Sequence, residues 1–336
     1  MSDRARVVLV TGATGFVGSH LCRELQEAGW QVRGLKTRLD RVGQQHCAVV
    51  EVRDLSDRDG LARAVQGADA VVHLAAYAHD LRHPTPEIAR LIFQTNVEAT
   101  RLLAELCVAA AVARVLLVSS VKAVGQGTEE PWAEDAVPSP REPYGQSKLE
   151  AERCLAEVCR GTGTAATVLR FPLVYGPGMR ANMLRLFDLV HRGVPLPFRG
   201  IGNRRSFLYV GNAVAAIVTA LDHERARGEV FFVSDGQDVP TDELVTLIGA
   251  ALRRRARLFA YPRWMLRGAG RIGDALTGLL PVPLTSEVVR RVAGSLTIDS
   301  SKFRRYTGYR PPFSLEEGLC RTAEWYLQRD PRGAGA

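Results

Sequence analysis

Tyr144 and Lys148 stand four residues apart in the run Tyr144-Gly145-Gln146-Ser147-Lys148. On a helix that spacing puts both side chains on one face. A lysine ammonium beside a phenol favours the phenolate and lowers its pKa. Tyr144 then becomes usable as a general acid or base near neutral pH. Upstream, Ser119-Ser120 closes an apolar run. A serine hydroxyl there can hydrogen-bond the same substrate oxygen that the phenol serves.

A second chemical signal lies near the start of the chain, in Thr11-Gly12-Ala13-Thr14-Gly15-Phe16-Val17-Gly18. The β-branched run Val7-Val8-Leu9-Val10 precedes it, and Phe16, Val17, Leu21 and Leu25 follow at helical spacing. The glycines therefore belong to a strand-to-helix turn. Gly12 permits the tight turn, Gly15 lets a pyrophosphate approach the backbone N–H groups of the helix start, and Gly18 lets helix and strand pack closely. The spacing G-x-x-G-x-x-G, following a strand and opening a helix, predicts dinucleotide binding.

These residues need a scaffold, and the chain alternates in a way that supplies one. Strand patterns are predicted at residues 7–10, 31–35, 49–52, 70–74, 114–119 and 166–170, with helical patterns between them at 61–65 and 96–111. Alternation of this kind argues for a parallel, doubly wound α/β sheet with helices on both faces. Pro and Gly cluster at 172–178 and 193–202, where the alternation stops. We expect a dinucleotide-binding domain over residues 1–172 with a later returning segment near 205–225, a smaller α/β substrate lobe mainly over 173–329, and a disordered tail over 330–336.

The end of the second strand bears on cofactor choice. An acidic residue there commonly holds ribose hydroxyls. This chain has Lys36 and Arg38 instead, with Arg33 nearby. That basic pair suits a 2′-phosphate and hence NADP(H); a solvated basic loop is the other reading. Asp54 is a candidate partner for the adenine amino group, or else a helix cap or turn residue. His73-Leu74-Ala75-Ala76 ends the fourth strand with small side chains that leave room for a cofactor, and His73 reads as a packed histidine rather than a catalyst.

On these residues the chain resembles an extended short-chain dehydrogenase/reductase of the NAD-dependent epimerase/dehydratase family over nearly its full length. The motifs are TGATGFVG from Thr11, HLAA from His73, the serine pair, YGQSK from Tyr144, RFPLVYGPG from Arg170, RSFLYVGNA from Arg205 and PPFSLEEGL from Pro311. The resemblance implies that Ser120, Tyr144 and Lys148 form the catalytic triad and that Lys148 also holds the nicotinamide ribose. With it, the expected cofactor-binding set, for NADP(H) or NAD(H), is Gly12, Thr14, Gly15, Phe16, Val17, Gly18, Lys36, Arg38, Asp54, Leu55, Leu74, Ala75, Ala76, Asn96, Tyr144, Lys148 and Phe171. The expected substrate-binding set is His79, Ser120, Lys122, Asn182 and Arg205. Arg205 matches the family arginine that meets the pyrophosphate. Asn182 suits the diphosphate or uracil end, or else a helix N-cap. The resemblance also implies a homodimer formed through the helices around 96–111 and 144–160.

Departures from the family pattern narrow the chemistry. The family's sugar 4,6-dehydratases carry Asp-Glu after the catalytic Thr/Ser, where this chain has Val121-Lys122. Pro172 stands where many 4-epimerases have Asn. The pattern Ser-Ser-x-Lys with RFPLVYGPG resembles a subgroup from O-antigen clusters acting on UDP-N-acetylhexosamine derivatives. The expectation is a nucleotide-sugar oxidoreductase that reduces a UDP-4-keto-6-deoxy-N-acetylhexosamine at C4 with NAD(P)H, for surface polysaccharide precursors. The alternative is an NAD-dependent UDP-sugar 4-epimerase of the UDP-GlcNAc or UDP-Glc type. A reductase of a non-nucleotide alcohol and a non-catalytic cofactor sensor follow behind; the presence of both Tyr144 and Lys148 counts against the sensor.

Composition agrees with this class. The chain has 336 residues, 46% hydrophobic and 24% charged, as in soluble globular proteins. Its formal charge of +8 suits an acidic small ligand. No stripe of interleaved aromatic and basic residues argues for nucleic acid, and the six cysteines show no metal-ligand spacing. They read as buried free thiols of a reducing compartment. The most apolar stretch, 102–118, is broken by Glu105 and Arg114 and is too short to span a bilayer, and no signal peptide is expected, so the protein is expected to be cytoplasmic. The arginine-rich stretch 253–271 reads as a solvated helix end or as a weak contact for an anionic membrane surface.

Overall fold

The computed structural model describes residues 5–37, 47–78, 85–128, 130–260 and 294–329. Six strands form where the sequence alternation places them: β1 (Val7–Thr11), β2 (Gln31–Thr37), β3 (Ala48–Val52), β4 (Ala70–His73), β5 (Arg114–Ser120) and β6 (Ala165–Phe171). β9 (Val230–Phe232) completes a seven-stranded sheet in the order β3-β2-β1-β4-β5-β6-β9. Every pairing in it is parallel. β1 is buried at all five positions and β4 at all four, which is why these segments read as unbroken apolar runs. The order reverses next to β1, and the edge of the sheet at that point is where ligands bind in doubly wound folds.

Helices cover both faces. α1 (Phe16–Glu27) and α7 (Val210–Asp222) pack together over one face, where Leu21, Leu25, Ile217 and Phe231 join a common core. α2 (Arg58–Val65), α4 (Ala99–Ala109) and α5 (Pro143–Cys159) cover the other, around Leu61, Leu103, Ala151 and Leu155. α3 (Pro86–Phe93) runs into α4 through a π-helical turn at Gln94–Glu98. The helix predicted at 96–111 thus begins inside this wide turn and continues as α4. Such turns concentrate at functional sites.

A separate three-stranded sheet, in the order β10-β8-β7, is built from β7 (Leu173–Tyr175), β8 (Arg205–Tyr209) and β10 (Asp238–Val239). α6 (Ala181–His191), α8 (Thr241–Ala251) and α10 (Leu315–Gln328) close a core around Phe187, Leu244, Val245 and Leu319 beside it, while α9 (Ser301–Thr307) packs against β9. The segment after β6 therefore alternates between the two sheets. β8 joins the small sheet, α7 returns to the large one, and β9 follows it there.

All six cysteines are free thiols; four are buried, Cys47 is half-buried and Cys320 is exposed, against the expectation that they are buried. Among the described residues no helix is long and apolar enough to cross a membrane. The tail 330–336 and most of the basic stretch after Ala260 lie outside the described residues.

Candidate active site

The carboxyl ends of β1, β4 and β5 open into a cleft of ≈ 1850 Å³ that continues between the large sheet and the α6–β8 side of the small one. On the large-sheet side its wall includes Gly12, Thr14, Gly15, Phe16, Asp54, Leu55, Leu74, Ala75 and Ala76. Ser120, Lys122, Tyr144, Asn182 and Arg205 line the same cleft.

The turn after β1 is shaped by close approach. Gly12 has φ +67°, and a Cβ there would meet the Ala75 backbone nitrogen at 2.9 Å. At Gly18 a Cβ would fall 2.1 Å from the Gly12 carbonyl oxygen, so helix and strand meet backbone to backbone. α1 starts on Gly15 with no side-chain cap and no acidic residue in its first turn. Its N-terminal N–H groups and its dipole are left for an anion. These features fit a dinucleotide pyrophosphate.

Some expected cofactor residues do not face the cleft. Lys36 is off its wall, while its neighbours Leu35 and Thr37 are on it, as the two-residue period of a strand requires. Lys36 lies instead alongside Glu51 in the β2–β3 register. Arg33 donates to the Gln66 carbonyl at 2.7 Å, at the other end of the strand. Arg38 and His79 lie outside the described residues. Phe171 and Val17 pack into the core between the sheet and α1–α7, and Gly18 is buried. Asp54 is a turn residue on the wall, accepting from the Ser56 hydroxyl at 2.5 Å and from the Ser56 N–H at 2.8 Å. Those bonds hold its carboxyl below the usual range.

Asn96 is the clearest departure. It sits in the π-helical turn, buried, and its amide is fully engaged: Oδ1 accepts from Tyr77 N–H at 2.7 Å, and Nδ2 donates to Ser147 Oγ at 2.9 Å. Ser147 in turn donates to the Tyr144 carbonyl at 2.8 Å. Its side chain ties the loop after β4 to the first turn of α5 rather than reaching into the cleft. His73 extends the same network: its two ring nitrogens meet Thr11 Oγ1 at 2.7 Å and Thr100 Oγ1 at 3.0 Å. Thr100 donates to the Asn96 carbonyl at 2.6 Å. Burial, with the Lys148 charge nearby, lowers the His73 pKa to about 3. His73 is thus a packed, neutral residue, and it ties the end of β1 to α4.

α5 begins at Pro143, which needs no N–H partner at a helix start. Tyr144 and Lys148 share one face, and the Tyr144 phenol lies close enough to the Ser120 hydroxyl for the two to interact. Burial pushes the phenol up to about 12, with the Ser120 hydroxyl opposing. The lowered phenol pKa expected from Lys148 is not found. The Lys148 ammonium donates to the Val118 carbonyl at 2.7 Å, and it is buried off the cleft wall. Its pKa falls to about 8 through burial, against the pull of Glu152.

Glu152, one turn beyond Lys148, is a residue the sequence reading missed. Arg170 holds it through Nη2 at 2.7 Å and Nε at 3.1 and 3.2 Å, and Ser119 Oγ donates to it at 2.5 Å. The i+4 spacing from Lys148 was its only sequence signal.

On the other wall, Asn182 is exposed in the first turn of α6. The N-cap is Arg180, so the capping alternative for Asn182 does not hold. Arg205 opens β8, and burial lowers its pKa. Arg204, beside it, donates to the Asp238 carbonyl at 2.9 Å.

A parallel sheet with a glycine-rich β1–α1 turn, and a Ser–Tyr–Lys group at its carboxyl edge, defines an NAD(P)-dependent enzyme of the short-chain dehydrogenase/reductase type. Residues 8–234 match the NAD dependent epimerase/dehydratase family, and the chain belongs to it. It is 33% identical to the UDP-glucose 4-epimerase of Vibrio cholerae over 97% of each chain. The N-acetyl-alpha-D-glucosaminyl-diphospho-ditrans,octacis-undecaprenol 4-epimerase of Escherichia coli O157:H7 is 28% identical, over 95% of this chain and 94% of that one. Among solved structures it is similar to MoeE5 in complex with UDP-glucuronic acid and NAD, at 29% identity and TM-score 0.74, over 95% of this chain and 98% of that one. The UDP-glucose 4-epimerase of Thermotoga maritima with UDP-glucose matches at 25% identity and TM-score 0.75, over 96% and 98%.

Proposed function

We propose that the protein is an NAD-dependent UDP-sugar 4-epimerase acting on a hexose of the glucose or N-acetylglucosamine type. The observation that carries this reading is that Ser120 and Tyr144 line one cleft together with the glycine-rich turn and Arg205. The 33% identity to a UDP-glucose 4-epimerase supports it.

NAD is the proposed cofactor. The solved relative MoeE5, at 29% identity, carries it in two complexes, and of the basic pair that suggested NADP(H), Lys36 is not on the cleft wall and Arg38 lies outside the described residues. Gly12, Gly15 and the first turn of α1 would hold its pyrophosphate. When bound, NAD supplies the acceptor for the C4 hydrogen and returns it. Ser120 orients the 4-oxygen of the sugar, and Tyr144 takes and gives back that oxygen's proton at its phenol. Lys148 keeps a positive charge behind Tyr144. Arg205, a planar fork of donors, meets the diphosphate. Val121 and Lys122 stand where a dehydratase needs an acid and a base, so water elimination is not part of the proposal.

One-way reduction of a UDP-4-keto-6-deoxy-N-acetylhexosamine is the second reading. Two observations favour it. Pro172 lines the cleft where the epimerase pattern has Asn, and a phenol held at about 12 is poised to donate a proton to a ketone. Adding UDP-glucose or UDP-GlcNAc to the NAD-loaded protein separates the two readings. An epimerase gives a transient near-ultraviolet absorbance of reduced nicotinamide and a C4 epimer. A reductase gives neither and consumes added NAD(P)H with the keto sugar.

A further inference from the structure

Two oppositely charged side chains flank the proton-transfer pair. Lys122 lies two residues after Ser120, and its backbone N–H donates to Ser120 Oγ at 3.2 Å. Glu142 lies two residues before Tyr144, at the position that opens α5. The turn and the helix start touch directly, since a Cβ at Gly145 would sit 2.4 Å from the Lys122 carbonyl oxygen. Across this contact Lys122 Nζ donates to Glu142 Oε2 at 2.6 Å. Both side chains are on the cleft wall and only partly covered, 30% and 22% exposed.

A group placed beside Ser120 and Tyr144 is beside C4 of the bound sugar. The neighbours of C4 in a hexopyranose are C3, with a neutral hydroxyl, and C5, with C6 attached. Of these only C6 ordinarily carries charge, as a carboxylate in a uronic acid. A lone lysine here would attract that carboxylate. Lys122 is not alone: its ammonium is drawn to Glu142 Oε2 at 2.6 Å, and the Glu142 carboxylate lines the same cleft. Like-charge contact penalises the wrong ligand even where it adds nothing for the right one.

We propose that the Lys122–Glu142 pair makes the site selective for sugars neutral at C6 and excludes UDP-uronic acids, with Glu142 as the excluding residue. This rests on the UDP-sugar reading of the cleft. One solved relative, MoeE5, carries either kind of sugar, UDP-glucuronic acid or UDP-glucose, so the family fold alone does not decide the matter.

The test is calorimetric titration of the NAD-loaded protein with UDP-glucose and with UDP-glucuronic acid. It is run on the wild type and on Glu142→Gln and Lys122→Gln. The ratio of the two dissociation constants within each protein cancels any general weakening of the site. The wild type should bind UDP-glucose about tenfold more tightly or better, the scale of one unfavourable charge contact. Glu142→Gln should shift the ratio about tenfold towards the uronic acid by freeing Lys122, and Lys122→Gln should shift it the other way. A wild type that binds both sugars equally overturns the proposal but leaves the UDP-sugar reading intact. The same holds if neither variant moves the ratio by more than about twofold, well under the free energy of such a contact. If neither sugar binds the wild type, the UDP-sugar reading falls and the selectivity proposal with it.

Discussion

Two ion pairs bracket the stretch that holds Tyr144 and Lys148, and they differ in burial. Glu152 and Arg170 are 6% exposed each, joined through two guanidinium nitrogens, with Ser119 also donating to the carboxylate. Lys122 and Glu142 are joined by one bond and are partly open to the cleft. A buried pair carries a large desolvation cost that only complete geometry offsets, so removing one partner strands a charge. Even here Arg170 Nη1 has no partner among the described residues, and the guanidinium lies over the Phe232 ring at 5.5 Å. An open pair costs little to make and little to lose. The first arrangement suits holding β5, β6 and α5 in one geometry. The second suits meeting a ligand.

The largest effect is expected between the two pairs. Tyr144→Phe removes the phenol hydroxyl and keeps the ring, so turnover should fall by about 10²–10⁴ with NAD binding nearly unchanged, as for a lost acid–base group. Steady-state kinetics and a cofactor titration check it. Ser120→Ala should lose less, because a water can take over its hydrogen bond.

Next comes the contrast in stability. Glu152→Ala should cost about 3–5 kcal/mol, the scale of a broken buried pair. Glu142→Ala should cost about 1 kcal/mol or less. Denaturant unfolding of the two variants measures both, and equal losses would erase the distinction. Glu152 also acts on Lys148. Its carboxylate opposes the burial that brings the lysine down to about 8, so Glu152→Gln should move the alkaline limb of the pH–rate profile to lower pH.

A smaller effect concerns His73, with a folded pKa of about 3 against a reference of 6.5. Between those values the unfolded chain binds the extra proton and the folded one does not. Stability is therefore lost as pH falls from 6.5 towards 3. Asp235 contributes with opposite sign, because its folded pKa is raised to about 6 by burial and its contribution fades as pH rises through that value. Comparing wild type with His73→Asn isolates the histidine, and the variant should show the flatter decline in thermal stability towards acid. The smallest effect is at Lys36, off the cleft wall. Lys36→Ala should leave the ratio of NAD to NADP affinities nearly unchanged.

Much of this architecture is written in local patterns. The glycine turn, the strand alternation from β1 to β6 and the Tyr144–Lys148 spacing each depend on residues close in sequence, and each can be read there. The ion pairs cannot, because Glu152 and Arg170, like Lys122 and Glu142, are brought together only by the packing of α5 on the sheet. β9 is three residues long and carries too little pattern to stand out. The Asn96 amide is spent on Tyr77 and Ser147, a contact across the fold that no spacing announces. Lys36 is different. Strand period alone puts Leu35 and Thr37 on one side and Lys36 on the other, so its exclusion from the cleft was legible and was outweighed by its charge.

The most direct test of the account is proton NMR of UDP-glucose and UDP-GlcNAc incubated with the purified protein, without added nicotinamide cofactor beyond what it carries or is loaded with in equimolar NAD. The account predicts the C4 epimer of at least one of them accumulating to a fixed ratio from either side, with no net reduction of the cofactor, and almost none formed by Tyr144→Phe. No epimer with the wild type, together with stoichiometric consumption of NAD(P)H by a UDP-4-keto sugar, would contradict it and leave one-way reduction as the function.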